Sequence, residues 1–100
     1  MKDRNYEFDV NSNNLFEAIM CLKNTNECEQ FFSDVLTISE LQAVTERFCV
    51  AKLLYQQSKS YRAINDETGV STATITRIAQ WMKNGAGGYK LVFKRLIDKQ

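Results

Sequence analysis

The chain of 100 residues contains no histidine, no proline and only four glycines. Without histidine, the commonest general base and zinc ligand is missing, as are the Ser–His and Cys–His pairs that activate nucleophiles. We therefore expect no enzyme, no catalytic residue, no metal site and no cofactor. Because proline is absent and three of the glycines fall within 85–88, long helices are permitted over most of the chain.

Long apolar runs are also missing. No stretch approaches the roughly 18 apolar residues of a membrane span, and the first residues do not resemble a signal peptide. We therefore expect a cytoplasmic protein with no membrane partner. Cys21, Cys28 and Cys49 form no C-x-x-C pair, and each lies among apolar residues of a predicted helix. They are interpreted as small buried side chains in a reducing compartment.

The net charge of +1 conceals an asymmetry between the two halves of the chain. Residues 1–50 carry four Lys/Arg against nine Asp/Glu, a balance of −5, whereas residues 51–100 carry nine against three, a balance of +6. A basic second half is typical of a surface that faces a polyanion. Chance clustering of solvated charges is the alternative.

Helical periodicity begins after residue 12. Residues 1–12 are therefore predicted to form a flexible N-terminal arm, and residues 13–100 a single all-helical domain. Asn13 or Asn14 is expected to cap a first helix, and Asn26 a second. Apolar stripes are predicted for the first helix and for a final helix, formed by Leu15, Phe16, Ile19 and Leu22 and by Tyr89, Val92, Phe93 and Leu96.

A third helix is predicted from about Ile38 to Gln57. Thr37 and Glu40 have the spacing of a capping box at its start. Its apolar face is too broad for one neighbouring helix, which favours packing against a second subunit. A short chain also gains buried surface by oligomerisation. A central helix in a monomeric bundle is the alternative.

Two short helices meet around Gly69 and form a helix-turn-helix over about residues 60–83. Gly69 suits a sharp turn with positive φ, and Val70 is expected to pack between the helices. Ser60 is expected to cap the first helix and Ser71 the second. A helix-turn-helix that serves only as a scaffold is the alternative.

The second helix of this motif is expected to enter the major groove of double-stranded DNA. Its small and hydroxyl-bearing side chains allow close approach, since Thr hydrogen-bonds base edges and Ala contacts a thymine methyl. Lys59 and Arg62 can reach phosphates or guanine, and Asn65 stands where many such motifs have alanine. The candidate DNA-binding residues are Lys59, Arg62, Asn65, Ser71, Thr72, Ala73, Thr74, Thr76 and Gln80.

The run from Leu36 to Glu40, Arg47, and the string Gly-Val-Ser-Thr-Ala-Thr-Ile-Thr-Arg ending at Arg77 resemble the Trp-repressor family. The resemblance covers about residues 15–97 and is closest to the branch from Gram-positive bacteria. It implies an all-α, intertwined helical homodimer with the helix-turn-helix in the C-terminal half. It also implies a repressor of transcription that reads an inverted repeat in its operator.

The resemblance also points to a ligand pocket. In the family the corepressor lies between two arginines, whose positions Arg47 and Arg77 occupy here, and Thr37 matches a threonine of the same pocket. Ile78 replaces a glycine of the family and Trp81 a serine, so both add volume. Either these side chains fill the pocket and DNA is bound without tryptophan, which we favour, or a smaller ligand binds between the arginines.

Three functions follow from these observations. The first is a dimeric, sequence-specific DNA-binding repressor that does not need tryptophan. The second is an amino-acid-dependent repressor with a tryptophan-like corepressor. The third is a helical module that bridges other proteins.

Overall fold

The computed structural model describes residues 6–98, so residues 1–5 of the predicted arm lie outside the described residues. The predicted all-α class is confirmed. Within 6–98, no helix is long and apolar enough to cross a membrane. The helices are α1 (Val10–Met20), α2 (Thr25–Val35), α3 (Ile38–Gln56), α4 (Tyr61–Thr68), α5 (Thr72–Asn84) and α6 (Gly88–Leu96).

The first helix begins earlier than predicted. Its cap is Asp9, whose carboxylate accepts a hydrogen bond from the Ser12 N–H at 3.0 Å, so the expectation of a cap at Asn13 or Asn14 is wrong. Hydrogen bonds to the Ser12 N–H and hydroxyl favour the charged carboxylate and lower the pKa of Asp9. The last three residues of the predicted arm are therefore helical.

The second helix is also capped two residues before its predicted position. The Asn24 side chain accepts from the Glu27 N–H at 2.9 Å, and the Glu27 carboxylate accepts from the Lys23 N–H at 2.9 Å. Asn26 is therefore not the cap. This reciprocal pairing satisfies two backbone donors and explains why the helix starts at Thr25.

The start of α3 is as predicted. Thr37 Oγ1 accepts from the Glu40 N–H at 3.1 Å, and the Glu40 carboxylate accepts from the Thr37 N–H at 2.9 Å. The helix ends at Gln56, and Gln57 follows with φ of +55°.

The described residues form two compact units, 6–42 and 43–98. The first unit contains α1 and α2, neither of which has a fully buried side chain. Leu15 and Phe16 of α1, predicted to form an inward stripe, are both more than two-fifths exposed. The apolar side chains of these helices are therefore largely uncovered within this chain.

The second unit has a core drawn from all four of its helices. The ring of Phe93 is fully buried and contacts those of Phe48, Tyr55 and Tyr89, with ring centroids 5.1, 5.2 and 6.0 Å away. Aromatic contacts at these distances pack α6 against α3. The buried residues are Val50, Ala51, Ile64, Val70, Ile75, Ile78 and Phe93.

The last helix buries only part of the predicted stripe. Tyr89 and Phe93 pack on the core, as does Ile97 four residues further on, whereas Val92 and Leu96 are exposed. The spacing of four selects one face of the helix.

A hydrogen bond also joins the end of this unit to α3. The Tyr55 hydroxyl donates to the carboxylate of Asp98. This bond raises the pKa of Tyr55, since ionisation would lose the bond and bring two negative charges together.

The cysteines depart from the expectation of burial. Cys21 and Cys49 are exposed, and Cys28 is half-buried. Cys21 follows a helix without a buried residue, and Cys49 lies on a face of α3 that this chain leaves uncovered. The burial prediction is therefore wrong for two of the three.

Candidate nucleic-acid interface

The turn between α4 and α5 is closed by hydrogen bonds around Gly69. Gly69 has φ of +78°, as predicted, and its N–H donates to the Asn65 carbonyl at 2.8 Å. Thr68 Oγ1 donates to the Ile64 carbonyl at 2.7 Å and accepts from the Val70 N–H at 3.1 Å. These bonds satisfy the backbone groups that the end of α4 leaves unpaired.

Asn65 closes the same turn from the other side. Its Nδ2 donates to the Val70 carbonyl oxygen at 2.7 Å, and its side chain is half-buried. This amide therefore has a structural role that the sequence did not predict. Its contact with DNA stays a prediction.

Buried side chains hold the two helices of the motif together. Ile64 of α4 and Ile75 and Ile78 of α5 are fully buried, and Val70 is 9% exposed between them. The predicted role of Val70 as the packing residue of the turn is confirmed. Such packing holds the outer face of α5 in a fixed orientation.

Side-chain hydroxyls make three hydrogen bonds at the start of α5. Ser71 Oγ accepts from the Thr74 N–H at 3.2 Å, which confirms the predicted cap, and donates to Thr74 Oγ1 at 3.1 Å. Thr76 Oγ1 donates to the Thr72 carbonyl at 2.9 Å. With its proton used in this way, the Thr76 hydroxyl faces outward as a hydrogen-bond acceptor. Thr72 and Thr76 are exposed, whereas Thr74 is half-buried.

The outer face of α5 begins with small and polar side chains, and Arg77 is the first charged residue of the helix. Thr72, Ala73, Thr76 and Gln80 are all exposed on it. The first turn contains no acidic residue, so nothing opposes the partial positive charge of the helix N-terminus. This face can approach a polyanion closely.

The two predicted cations lie at the start of the motif. Lys59 Nζ is 3.3 Å from the Glu67 carboxylate, and both side chains are well exposed, so solvent weakens this ion pair. Arg62 is exposed on α4 and makes no salt bridge with any residue in 6–98. The guanidinium group of Arg62 and the ammonium group of Lys59 are therefore both accessible to phosphate.

The five predicted pocket residues occupy different environments. Arg47 and Arg77 are exposed, Ile78 is fully buried in the core, and Trp81 is half-buried against that core. Thr37 belongs to the other unit, where its hydroxyl caps α3. Among residues 6–98, no group of three acidic or cysteine side chains could hold a metal.

Two further features of this region were not predicted. The Thr68 hydroxyl bonds to both sides of the turn, and a Thr before a turn glycine is the local signal that indicates it. Lys83 and Lys90 line a groove with Lys59, and only the basic balance of the second half pointed to them.

A glycine turn, a buried isoleucine cluster and an exposed recognition helix together define a helix-turn-helix protein. Comparison with known proteins agrees. Residues 11–97 match the Trp repressor protein family. The uncharacterized protein YerC of Bacillus subtilis strain 168 is 38% identical over 86 residues, which cover 86% of this chain and 82% of that protein.

Two solved structures are also similar. A TrpR-like protein from Eubacterium eligens ATCC 27750 is 42% identical with a TM-score of 0.82, covering 88% of this chain and 90% of that one. A candidate Trp repressor from Staphylococcus aureus is 37% identical with a TM-score of 0.82, covering 89% and 88%. This chain belongs to the Trp repressor family. It is therefore a non-enzymatic helix-turn-helix regulator that binds DNA.

Proposed function

We propose that this protein is a homodimeric transcription repressor that reads an inverted repeat through α5 and does so without tryptophan. The observation that carries the proposal is the exposed face of α5, which consists of Thr72, Ala73, Thr76 and Gln80. The hydrogen-bonded turn at Gly69 and the buried isoleucines hold this face in place. Side chains of this size and chemistry suit direct contact with base edges in a major groove.

The positive charges near this face support its orientation toward DNA. Arg62 and Lys59 are exposed at the start of α4, the other helix of the motif, and suit contacts with phosphates that border the groove. The N-terminus of α5, free of acidic residues, suits a further phosphate. Phosphate contacts of this kind position the helix, and the hydroxyls of α5 then select the sequence.

Exposed apolar side chains support the dimer. Leu41, Val44 and Phe48 of α3 are each exposed by more than a third, and Leu15 and Phe16 of α1 by more than two-fifths. Monomeric proteins rarely leave so many large apolar groups in water. We infer that α1 and the first half of α3 pack on a second copy. Two copies would hold their recognition helices about 34 Å apart, one turn of DNA.

Sedimentation tests the dimer directly. At micromolar concentration the wild-type chain is expected to sediment at twice its mass of 11.5 kDa. Val44→Glu, which places a charge on the exposed apolar face, is expected to shift the protein toward the monomer. A wild-type monomer of 11.5 kDa at this concentration would contradict the dimer.

Two positions support binding without tryptophan. Ile78 is fully buried in the core and Trp81 packs against it, whereas the matching family positions carry glycine and serine. Both side chains are larger than those of the family and follow Arg77 on α5. The alternative, a smaller ligand between Arg47 and Arg77, is favoured by the exposure of both guanidinium groups.

Selection of bound DNA from a random pool tests the function. The selection is run with the purified protein alone, and again with a mixture of amino acids. Enrichment of an inverted repeat in both runs is the expected result. Enrichment only with amino acids would favour the ligand-dependent alternative, and no enrichment in either run would contradict sequence-specific binding.

A further inference from the structure

A groove of about 460 Å³ lies in the second unit, away from the candidate pocket arginines. We call it the lysine groove. Its volume is within the range of about 300–1,000 Å³ that is typical of small-molecule sites. Its lining residues are Leu54, Gln57, Lys59, Tyr61, Ala79, Met82, Lys83 and Lys90.

The lysine groove combines an apolar floor with a cationic rim. Half-buried Leu54 and Met82 supply apolar surface, while three ammonium groups border the opening. No acidic residue lines it. Lys83 and Lys90 make no salt bridge with any residue in 6–98. Lys59 forms an exposed ion pair with Glu67 that solvent weakens, so Lys83 and Lys90 are the rim cations that no carboxylate of residues 6–98 pairs, and a bound anion would supply that partner.

A second cavity, of about 880 Å³, shares Leu54, Met82 and Lys90 with the lysine groove and continues toward Ile97 and Asp98. Its lining there includes Lys94 as well as Asp98, whose carboxylate accepts from the Tyr55 hydroxyl. The combined space therefore offers further apolar surface beyond the lysines. An anionic head would lie at the lysines, and an apolar body would extend over Leu54 and Met82.

Gln57 gives a further reason to regard this groove as a site. Its φ of +55° is the left-handed conformation in which helices usually end with glycine. A side chain at this position strains the backbone, and here that side chain lines the groove. The strain is offset if the Gln57 amide contacts a ligand.

We propose that the lysine groove binds a small amphipathic anion, which has an aromatic or aliphatic body and one carboxylate or phosphate group. The ammonium groups of Lys59, Lys83 and Lys90 would hold the head, and Leu54, Ala79 and Met82 would hold the body. Lys59 is also a candidate phosphate contact of the DNA interface. A bound anion therefore competes with DNA for Lys59, a consequence that rests on the proposed function.

Titration with defined probes tests the site in the absence of DNA. The probes are 1-naphthyl phosphate, 1-naphthoate and neutral 1-naphthamide, with binding followed by amide chemical shifts of the labelled full chain. Both anions are expected to bind saturably and to shift Leu54, Ala79 and Met82. The neutral probe is expected to bind roughly tenfold more weakly, since it loses the charge-assisted hydrogen bonds. The stronger of the two anions identifies the head group.

The test variant and its control both replace lysine with methionine, at two positions of the groove and at one position outside it. Lys83→Met with Lys90→Met removes two rim cations, and is expected to weaken the anionic probes at least tenfold. Lys52→Met removes an exposed cation of α3 outside the groove and is expected to leave probe binding unchanged. Equal effects of the two changes, equal affinity for the neutral probe, or shifts confined to α1 and α2 would each overturn the proposal.

Gln57→Gly separates binding from folding. Glycine relieves the left-handed conformation, so the variant is expected to melt at a higher temperature and yet bind the anionic probes more weakly. A higher melting temperature with unchanged probe affinity would show that Gln57 does not contact the ligand, which overturns its part in the site.

A last experiment measures DNA affinity with and without saturating 1-naphthyl phosphate. Weaker DNA binding in its presence is the expected result. Probe binding without any effect on DNA would overturn the competition and leave the site standing. Failure of the wild-type protein to bind DNA at all would overturn the proposed function, and the probe titration would be unaffected.

Discussion

The side-chain amide of Asn65 donates a hydrogen bond to the carbonyl oxygen of Val70, 2.7 Å away, across the turn of the helix-turn-helix. Val70 lies between α4 and α5, so no helical N–H pairs with this carbonyl. Because Val70 is only 9% exposed, its carbonyl has little access to water. The amide therefore satisfies the turn internally and ties α4 to the residue before the α5 cap.

Replacing this amide is expected to lower stability. Asn65→Ala leaves the Val70 carbonyl unpaired, at a cost of about 1–3 kcal/mol in the free energy of unfolding. Urea denaturation measures the loss. Asp66→Ala changes an exposed neighbour and is expected to stay within about 0.5 kcal/mol of wild type. An Asn65→Ala protein of full stability and reduced DNA affinity would instead assign this amide to DNA contact.

Gly69 is expected to be intolerant of any side chain for conformational reasons alone. A Cβ at this position would meet nothing within 4 Å, so Gly69→Ala tests the cost of φ at +78° without a clash. The expected loss is about 1–2 kcal/mol. A Cβ at Gly88 would also enter open space, and the φ of Gly88 is not positive, so Gly88→Ala should be neutral or mildly stabilising. Equal thermal midpoints for the two variants would contradict this account of the turn.

Tryptophan is expected to show no measurable binding to the wild-type protein. Overpacking a site by a bulky side chain costs about 1–3 kcal/mol, which weakens a ligand roughly tenfold to a hundredfold. The prediction depends on Ile78 and Trp81, which stand where the family has the smaller glycine and serine. Calorimetric titration with L-tryptophan checks this, and Trp81→Ser, which removes the larger side chain, is the variant expected to gain affinity. Saturable heat with the wild-type protein would show that the pocket is open.

Local signals in the sequence predicted the caps of α3, α4 and α5. Thr37, Ser60 and Ser71 each accept from the N–H three residues on, as expected. Each of these caps is a hydrogen bond between residues three apart, so the local sequence is enough to predict it. The starts of α1 and α2 were placed too late because several Asn, Asp and Ser side chains compete there, and Asp9 and Asn24 form the bonds.

Burial was predicted less well than helix position. Periodicity identified the apolar residues of α1, α2 and α6, but it cannot tell which of them the same chain covers. Val92, Leu96 and Cys49 are exposed although each lies among apolar neighbours. An uncovered apolar face looks the same in sequence as a covered one, and only the packing distinguishes them.

The candidate DNA interface was likewise predicted only in part from the sequence. The exposed face of α5 followed from the motif, because helix geometry places Thr72, Thr76 and Gln80 away from the buried isoleucines. The bond from Asn65 to Val70 and the lysine groove could not be predicted. The groove joins Leu54, Lys83 and Lys90, which are far apart in the chain and meet only through the packing of three helices.

The most direct test of the central claim compares two variants on the DNA sequence that the wild-type protein selects. Thr76→Val keeps the shape of the side chain and removes the outward acceptor, so it should relax preference at one base pair by about 1–3 kcal/mol. Arg62→Ala should instead weaken all sequences alike and reduce the slope of affinity against salt by about one. Affinities are measured by fluorescence anisotropy over a salt series, on the selected site and on its single-base variants. The predicted result is that Thr76→Val changes base preference, whereas Arg62→Ala changes overall affinity and its salt dependence. Wild-type affinity and preference in both variants would contradict the claim that α5 reads the DNA.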